Sequence, residues 1–296
     1  MAKIIITGGA GFIGSNLTDQ MVKRGDEIYV IDNLSGGKRE NVNPAAIFYQ
    51  KDVANFSEIR PIFEGIDYVF HLAALPSVPY SIEYPLETNQ INVGGTLNVL
   101  LAAKEAKVKK VIYSASSAVY GDQPIMPLTE DMPAQPKSPY GLQKYIGEMY
   151  CRIFSEVYEL STVCLRYFNV YGPRQNTEGA YALVIGKFLK QKDKGLPMTI
   201  TGDGTQTRDF TSVHDVVRAN ILAMEKPVGG GEVLNIGAGC NHSINEIAKM
   251  IGGSIEHIPA RFEPHDTRAD NNKAKKMLTW EPRVSLEEGL KELIEK

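Results

Sequence analysis

The stretch Ser138–Lys144, SPYGLQK, sets a tyrosine, Tyr140, one helical turn before a lysine, Lys144. On a helix, residues four apart share a face, so the phenol and the ammonium become neighbours. A free phenol titrates near about 10, too high for an effective base at neutral pH. A neighbouring ammonium favours the phenolate. The pair is either a proton-transfer couple or an ordinary surface pair, and the spacing alone does not choose. Upstream lies a serine cluster, Ser114, Ser116 and Ser117, directly after a strand-like run. Further upstream comes a glycine turn, Gly8, Gly11 and Gly14.

That turn has a chemistry of its own. A pyrophosphate must approach bare backbone N–H groups at the positive end of a helix, and side chains would block it. Lys3 to Thr7 precedes the turn as a β-branched run suited to a buried parallel strand. After it, Phe12, Ile13, Leu17 and Met21 mark one helical face, and Gly25 closes the helix. Ile28 to Ile31 is the next strand and ends at Asp32. An acid there, about 20 residues past the turn, can accept hydrogen bonds from both ribose hydroxyls of an adenosine. Gly8, Gly11, Phe12, Ile13, Gly14 and Asp32 are thus expected to hold a dinucleotide. The phosphate-loop alternative fails, because Ser15 stands where a lysine is required. A carboxylate at Asp32 repels a 2′-phosphate, and Asn33 follows it rather than an arginine, so the expected cofactor is NAD. Asp52 and Val53 are candidates for the adenine contact, or simply a strand end.

The elements that would position these groups alternate. Strand-like runs recur at 68–72, 111–115 and 162–166, with helical patterns at 95–106 and 140–158. Alternation of this kind implies a parallel sheet covered on both faces, with ligands beyond the carboxyl ends of its strands. The informative residues do follow the strands: HLAALPSV, with Leu72, Ala73 and Ala74; SASSAVYG; and RYFNVYGPRQ. The expected fold is α/β, a doubly wound parallel-sheet Rossmann domain with a smaller mixed α/β substrate domain. Residues 1–168 would form the first, 212–237 would return to it, and 169–296 would bind substrate, since beyond Asn169 short runs, prolines and glycines replace long βα units.

The bulk properties narrow the class. The 296 residues are 43% hydrophobic and 23% charged, and the net charge of −3 gives no basic footprint for nucleic acid. No apolar run approaches the ~20 residues of a membrane span, and MAKIIITGG is too short an apolar run for a signal peptide. The expectation is a cytoplasmic protein. Cys151, Cys164 and Cys240 are odd in number and form no CxxC pattern, so buried free thiols are expected. The five histidines show no ligand spacing, and no metal is expected.

The marks TGGAGFIGS, HLAAL, SSAVYG, SPYGLQK, RYFNVYGP and GDGTQTRDF, in this order over essentially the whole chain, resemble the extended short-chain dehydrogenase/reductase family, in its nucleotide-sugar epimerase branch. The resemblance implies catalytic roles for Tyr140, Lys144 and Ser116. Tyr140 would take a proton from a sugar hydroxyl as hydride leaves the same carbon for NAD. Lys144 would also hold the nicotinamide ribose, and Ser116 would hydrogen-bond the reacting oxygen with help from Ser117. Asn169 and Arg208 match diphosphate contacts; a guanidinium fork suits that group. A second phosphate arginine is assigned to Arg261, with Arg268 as alternative, because the segment is one residue short there. Residues 198–204 would line the uracil site. Elimination and decarboxylation on this scaffold need acids where Ser117 and Ala118 stand. What remains is inversion at C4 of a UDP-sugar. Thr267 matches a position that a tyrosine closes in relatives restricted to plain hexoses, and with Ser77 it implies room for an acetamido group. A uronate 4-epimerase, a reductase and a non-catalytic NAD sensor are the other readings. Leu97, Val99, Leu100, Leu101, Ile146, Met149, Ile153 and Phe154 give the two long helices more than one apolar face, which in this family implies a homodimer.

Overall fold

The structure, a computed structural model, describes residues 1–177, 183–260 and 265–295. Arg261 therefore lies outside the described residues. A seven-stranded parallel sheet forms the centre. Its strands are β1 (Lys3–Thr7), β2 (Glu27–Ile31), β3 (Ile47–Tyr49), β4 (Tyr68–His71), β5 (Lys110–Ser116), β6 (Thr162–Tyr167) and the strand Glu232–Ile236. The spatial order runs Glu232–Ile236, β6, β5, β4, β1, β2, β3. The chain leaves β1 towards β2 and β3, then crosses to β4 on the other side. That reversal opens a crevice beyond the carboxyl ends of β1 and β4.

The two-residue period of β1 explains how the sheet is covered. Ile4 and Ile6 pack with Leu17 and Met21 of helix α1 (Phe12–Lys23) and with Val216 and Ala219 of helix Val213–Glu225. Ile5 points the other way, into a cluster with Val99, Ala103, Cys151 and Phe154 from helices Thr96–Glu105 and Pro139–Tyr158. This is the doubly wound arrangement that the alternating pattern implies. A separate core of Tyr171, Ile185, Phe188, Met198, Ile200, Phe210, Ile247 and Leu290 holds the smaller unit, where strands Met198–Thr201 and Ile255–Ile258 pair in parallel.

The helix expected over 95–106 is found at Thr96–Glu105, and further helical turns lead into it. Short helices Val78–Glu83 and Pro85–Asn89 run into a π turn over Gln90–Gly95 and only then into Thr96–Glu105. Prolines at the first positions of the short helices start them rather than break them. The wider turn directs Asn92 inward, where its amide brackets the backbone of Leu75 and donates to Gln143 Oε1 at 2.8 Å. Of the apolar residues expected on two faces, Val99, Leu100 and Phe154 enter the core. Leu97, Leu101, Ile146 and Met149 are half-buried, while Ile153 is exposed, as are Leu142, Val157 and Tyr158. Cys151 and Cys164 are buried free thiols, but Cys240 is exposed, because the loop after the last sheet strand carries it out beside His242. No described helix is long and apolar enough to cross a membrane.

Candidate active site

The crevice is a continuous cleft of about 970 Å³ running from the glycine turn to the smaller unit. At one end, Gly8 has φ +72, and a Cβ there would sit 2.7 Å from Ala73 N. A Cβ on Gly14 would lie 2.2 Å from Gly8 O, so turn and helix close only without side chains. The Gly11 position caps α1 without any side-chain acceptor for the helix's first N–H groups. Bare donors at a helix N-terminus suit a pyrophosphate, so these residues fit the dinucleotide. Gly8, Gly11, Phe12, Ile13, Gly14, Asp32, Asn33, Asp52, Val53, Leu72, Ala73 and Ala74 all line the cleft. Asp32 is fixed by Ala10 N at 3.0 Å and Leu34 N at 2.8 Å. Burial raises its carboxyl above the ordinary value while these bonds pull it down. Asn33 donates to Asp52 at 2.9 Å, tying the ends of β2 and β3 together.

At the middle, the long helix starts with Ser138 capping Gly141 N and Pro139 in its first turn. Gly147 lets it approach β5: a Cβ there would meet the Tyr113 hydroxyl at 2.2 Å. Tyr140 and Lys144 both face the cleft. Their electrostatics differ from the simple pair. Lys144, 3% exposed, donates from Nζ to Ser114 O at 2.8 Å and stands over the Tyr113 ring. The forces on the Tyr140 phenol are burial, which raises its pKa, and a hydrogen bond with Ser116, which lowers it. Burial brings Lys144 down to about 8, with Cys151 and Glu148 acting in the opposite direction. Ser116 also caps the following turn, its Oγ accepting from Ala118 N at 3.2 Å, so its capping and site roles coincide. Ser117 lines the cleft beside it.

At the far end, Asn169 lies 3.4 Å from Thr267 Oγ1 through Nδ2, bringing together residues widely separated in sequence. Both line the cleft with Arg208, Thr199 and Thr201. Arg208 Nη1 donates to Thr207 O at 2.8 Å and His265 O at 3.0 Å. Two carboxylates close to it in sequence are engaged elsewhere: Asp215 pairs with Arg218, and Asp209 accepts from three backbone amides. Met198 is buried in the core rather than in the cleft. Arg268 does not line the cleft among the described residues. Ser77 lines it, but its Oγ already accepts from Tyr80 N at 3.2 Å as a helix cap. Sequence reasoning passed over Gly37, Asn176 and Lys187, which also line the cleft; only Gly37, in a glycine pair, carried a local signal. No group of three or more His, Cys, Asp or Glu is placed to hold a metal among the described residues.

Residues 4–237 match the NAD dependent epimerase/dehydratase family. A putative UDP-glucose 4-epimerase of Methanocaldococcus jannaschii is 37% identical, over 98% of this chain and 97% of that one. A UDP-glucose 4-epimerase of Thermotoga maritima, solved with UDP-glucose, superposes with a TM-score of 0.95 at 41% identity, covering 99% and 97% of the two chains. A UDP-N-acetylglucosamine 4-epimerase of Methanobrevibacter ruminantium, solved with UDP-N-acetylmuramic acid, gives 0.95 at 38%, covering 99% and 97%.

Proposed function

The chain belongs to the NAD dependent epimerase/dehydratase family, and from that premise we propose that it interconverts UDP-hexoses epimeric at C4. The glycine turn and the start of α1 hold the pyrophosphate, and Asp32 takes the adenosine ribose. NAD, when bound there, would supply the hydride acceptor for C4 of the sugar and the hydride donor for the opposite face of the 4-keto sugar. Tyr140 removes the C4 hydroxyl proton and restores it. Ser116 hydrogen-bonds the same oxygen, Ser117 assists, and Lys144 holds the nicotinamide ribose. Asn169 and Arg208 take the diphosphate, with Arg261 or Arg268 as the second arginine. Residues 1–168 with 212–237 act as the cofactor unit, and 169–296 as the substrate unit.

The observation that carries the reading is that one cleft contains the glycine cradle, the Tyr140–Ser116 bond and the Asn169–Thr267 pair. Threonine at 267 leaves space for an acetamido group beside the sugar, and Ser77 lines the same cleft. UDP-GlcNAc and UDP-GalNAc are the preferred pair, with UDP-Glc and UDP-Gal slower. Exposed Ile153 and Val157 on the long helix support a homodimer. A panel of UDP-hexoses, UDP-N-acetylhexosamines and UDP-uronates, with products separated by epimer, tests the assignment. Turnover of uronates alone would favour the uronate epimerase, net NADH release a dehydrogenase, and no turnover a sensor.

A further inference from the structure

Asp209 is a carboxylate with 0% exposure between the short strands Thr207–Arg208 and Thr211–Ser212. It has no cation in ion-pair contact among the described residues; its partners are three backbone amides and, at 3.5 Å, the Thr211 hydroxyl. Its Oδ1 accepts from Ala238 N at 2.7 Å, and its Oδ2 from Gly239 N and Ala269 N, each at 2.9 Å. A buried carboxylate without a counter-charge is costly unless donors surround it, and here burial pushes it up to about 6 against the pull of those amides.

The donors come from two segments distant in sequence. Ala238 and Gly239 follow the last strand of the main sheet, and Ala269 follows Thr267 and Arg268. Gly237 lets the two meet: a Cβ there would lie 2.4 Å from the Ala269 Cβ and 3.0 Å from Asp209 Oδ2. The three residues assigned to the diphosphate and the sugar wall all hang on this junction. Arg208 is the adjacent residue. Asn169 Nδ2 reaches Asp209 O at 3.5 Å and Thr267 Oγ1 at 3.4 Å. Thr267 lies two residues before Ala269, and its N–H donates to Thr207 O at 3.2 Å.

We propose that Asp209 is a positioning residue that locks Asn169, Arg208 and Thr267 against the main sheet, so that substrate affinity depends on its carboxylate while cofactor binding does not. The inference rests on the UDP-sugar reading. All of Asp209's contacts lie at the substrate end, and none involves the glycine turn or the Tyr140 helix.

Asp209→Asn keeps the shape but turns one acceptor into a donor facing amide N–H groups. Asp209→Glu keeps the charge on a longer stem that pushes the two loops apart. UDP binding by calorimetry, bound NAD and steady-state constants would be measured for the parent and both variants. Both variants should bind UDP about tenfold or more weakly, the scale for a lost charged hydrogen bond, and raise KM in step, with NAD content kept and kcat changed less. Unchanged UDP affinity overturns the proposal. Loss of NAD together with UDP also overturns it, because Asp209 would then hold the fold as a whole. If the parent does not bind UDP, the substrate reading itself fails, and the proposal with it.

Discussion

Replacing Thr267 by tyrosine should turn the enzyme towards plain hexoses. The backbone at this position cannot retreat to make room. Thr267 N is bonded to Thr207 O at 3.2 Å, and Ala269 N, two residues on, to Asp209 at 2.9 Å. A phenol placed here must project into the cleft that Thr267 already lines. Overpacking a formed site costs ~1–3 kcal/mol, which corresponds to roughly a five- to hundredfold loss in rate. That loss should fall on the acetamido sugars, whose C2 substituent needs the space, and spare UDP-Glc and UDP-Gal. The assay is kcat/KM for both substrate classes in parent and variant, compared as a ratio so that general damage cancels. Thr267→Val separates space from hydrogen bonding. At 3.4 Å the Asn169–Thr267 contact is long for a hydrogen bond, so the valine variant should stay within a few-fold of the parent on every substrate. Equal loss on both classes in Thr267→Tyr would refute the gate.

Tyr140→Phe removes the proton acceptor and little volume; turnover should fall ~10²-fold or more with NAD retained, and a near-normal rate would sink the assignment. His71 is buried between Thr7 and Thr96, and burial holds its imidazole at about 3. Because its folded pKa lies below the unfolded value near 6.5, the unfolded chain binds the extra proton, so stability should drop as pH falls from there towards 3, by up to ~1.4 kcal/mol per unit. Urea unfolding across that range should show a flatter slope for His71→Gln; an identical slope would clear His71 of the effect. Ile153 and Val157 are 46% and 64% exposed on the long helix. Sedimentation should find a dimer at micromolar concentration and a monomer for the double change to aspartate, and a monomeric parent would remove the homodimer.

Much of the sheet was legible because its strands are short apolar runs, several of them closed by a turn or polar residue: Gly8 after β1, Asp32 after β2 and Ser117 after β5. Lys3–Thr7 needed no tertiary information. The π turn at Gln90–Gly95 did, since Ile91 and Val93 stand only two apart, the period of a strand, and its inward Asn92 reads as an ordinary polar residue. Cys240 reads as buried by residue type, yet its loop lies outside the core. The Asn169–Thr267 pair and the Asp209 junction join segments that no local pattern connects. Family resemblance could point to Asn169, Arg208 and Thr267 singly, but not to the carboxylate that ties the neighbouring loops at Ala238, Gly239 and Ala269 together.

The pairing of Tyr140 with Lys144 shows where helical spacing stops being informative. Residues four apart share a face, and both side chains do face the cleft. Spacing fixes the stems but not the tips. A buried ammonium must find an acceptor, and the one it finds is Ser114 O, at the end of β5. Two residues along the same strand, Ser116 bonds the phenol. The tips of Lys144 and Tyr140 are thus set by β5 rather than by each other, and Gly147 lets the helix lie close enough for both bonds. The strand end acts as a ruler: shifting the helix along β5 would move the phenol and the ammonium together relative to the glycine turn. The proton-transfer set then owes its geometry to the packing of one helix on one strand, and the four-residue spacing only makes that packing possible.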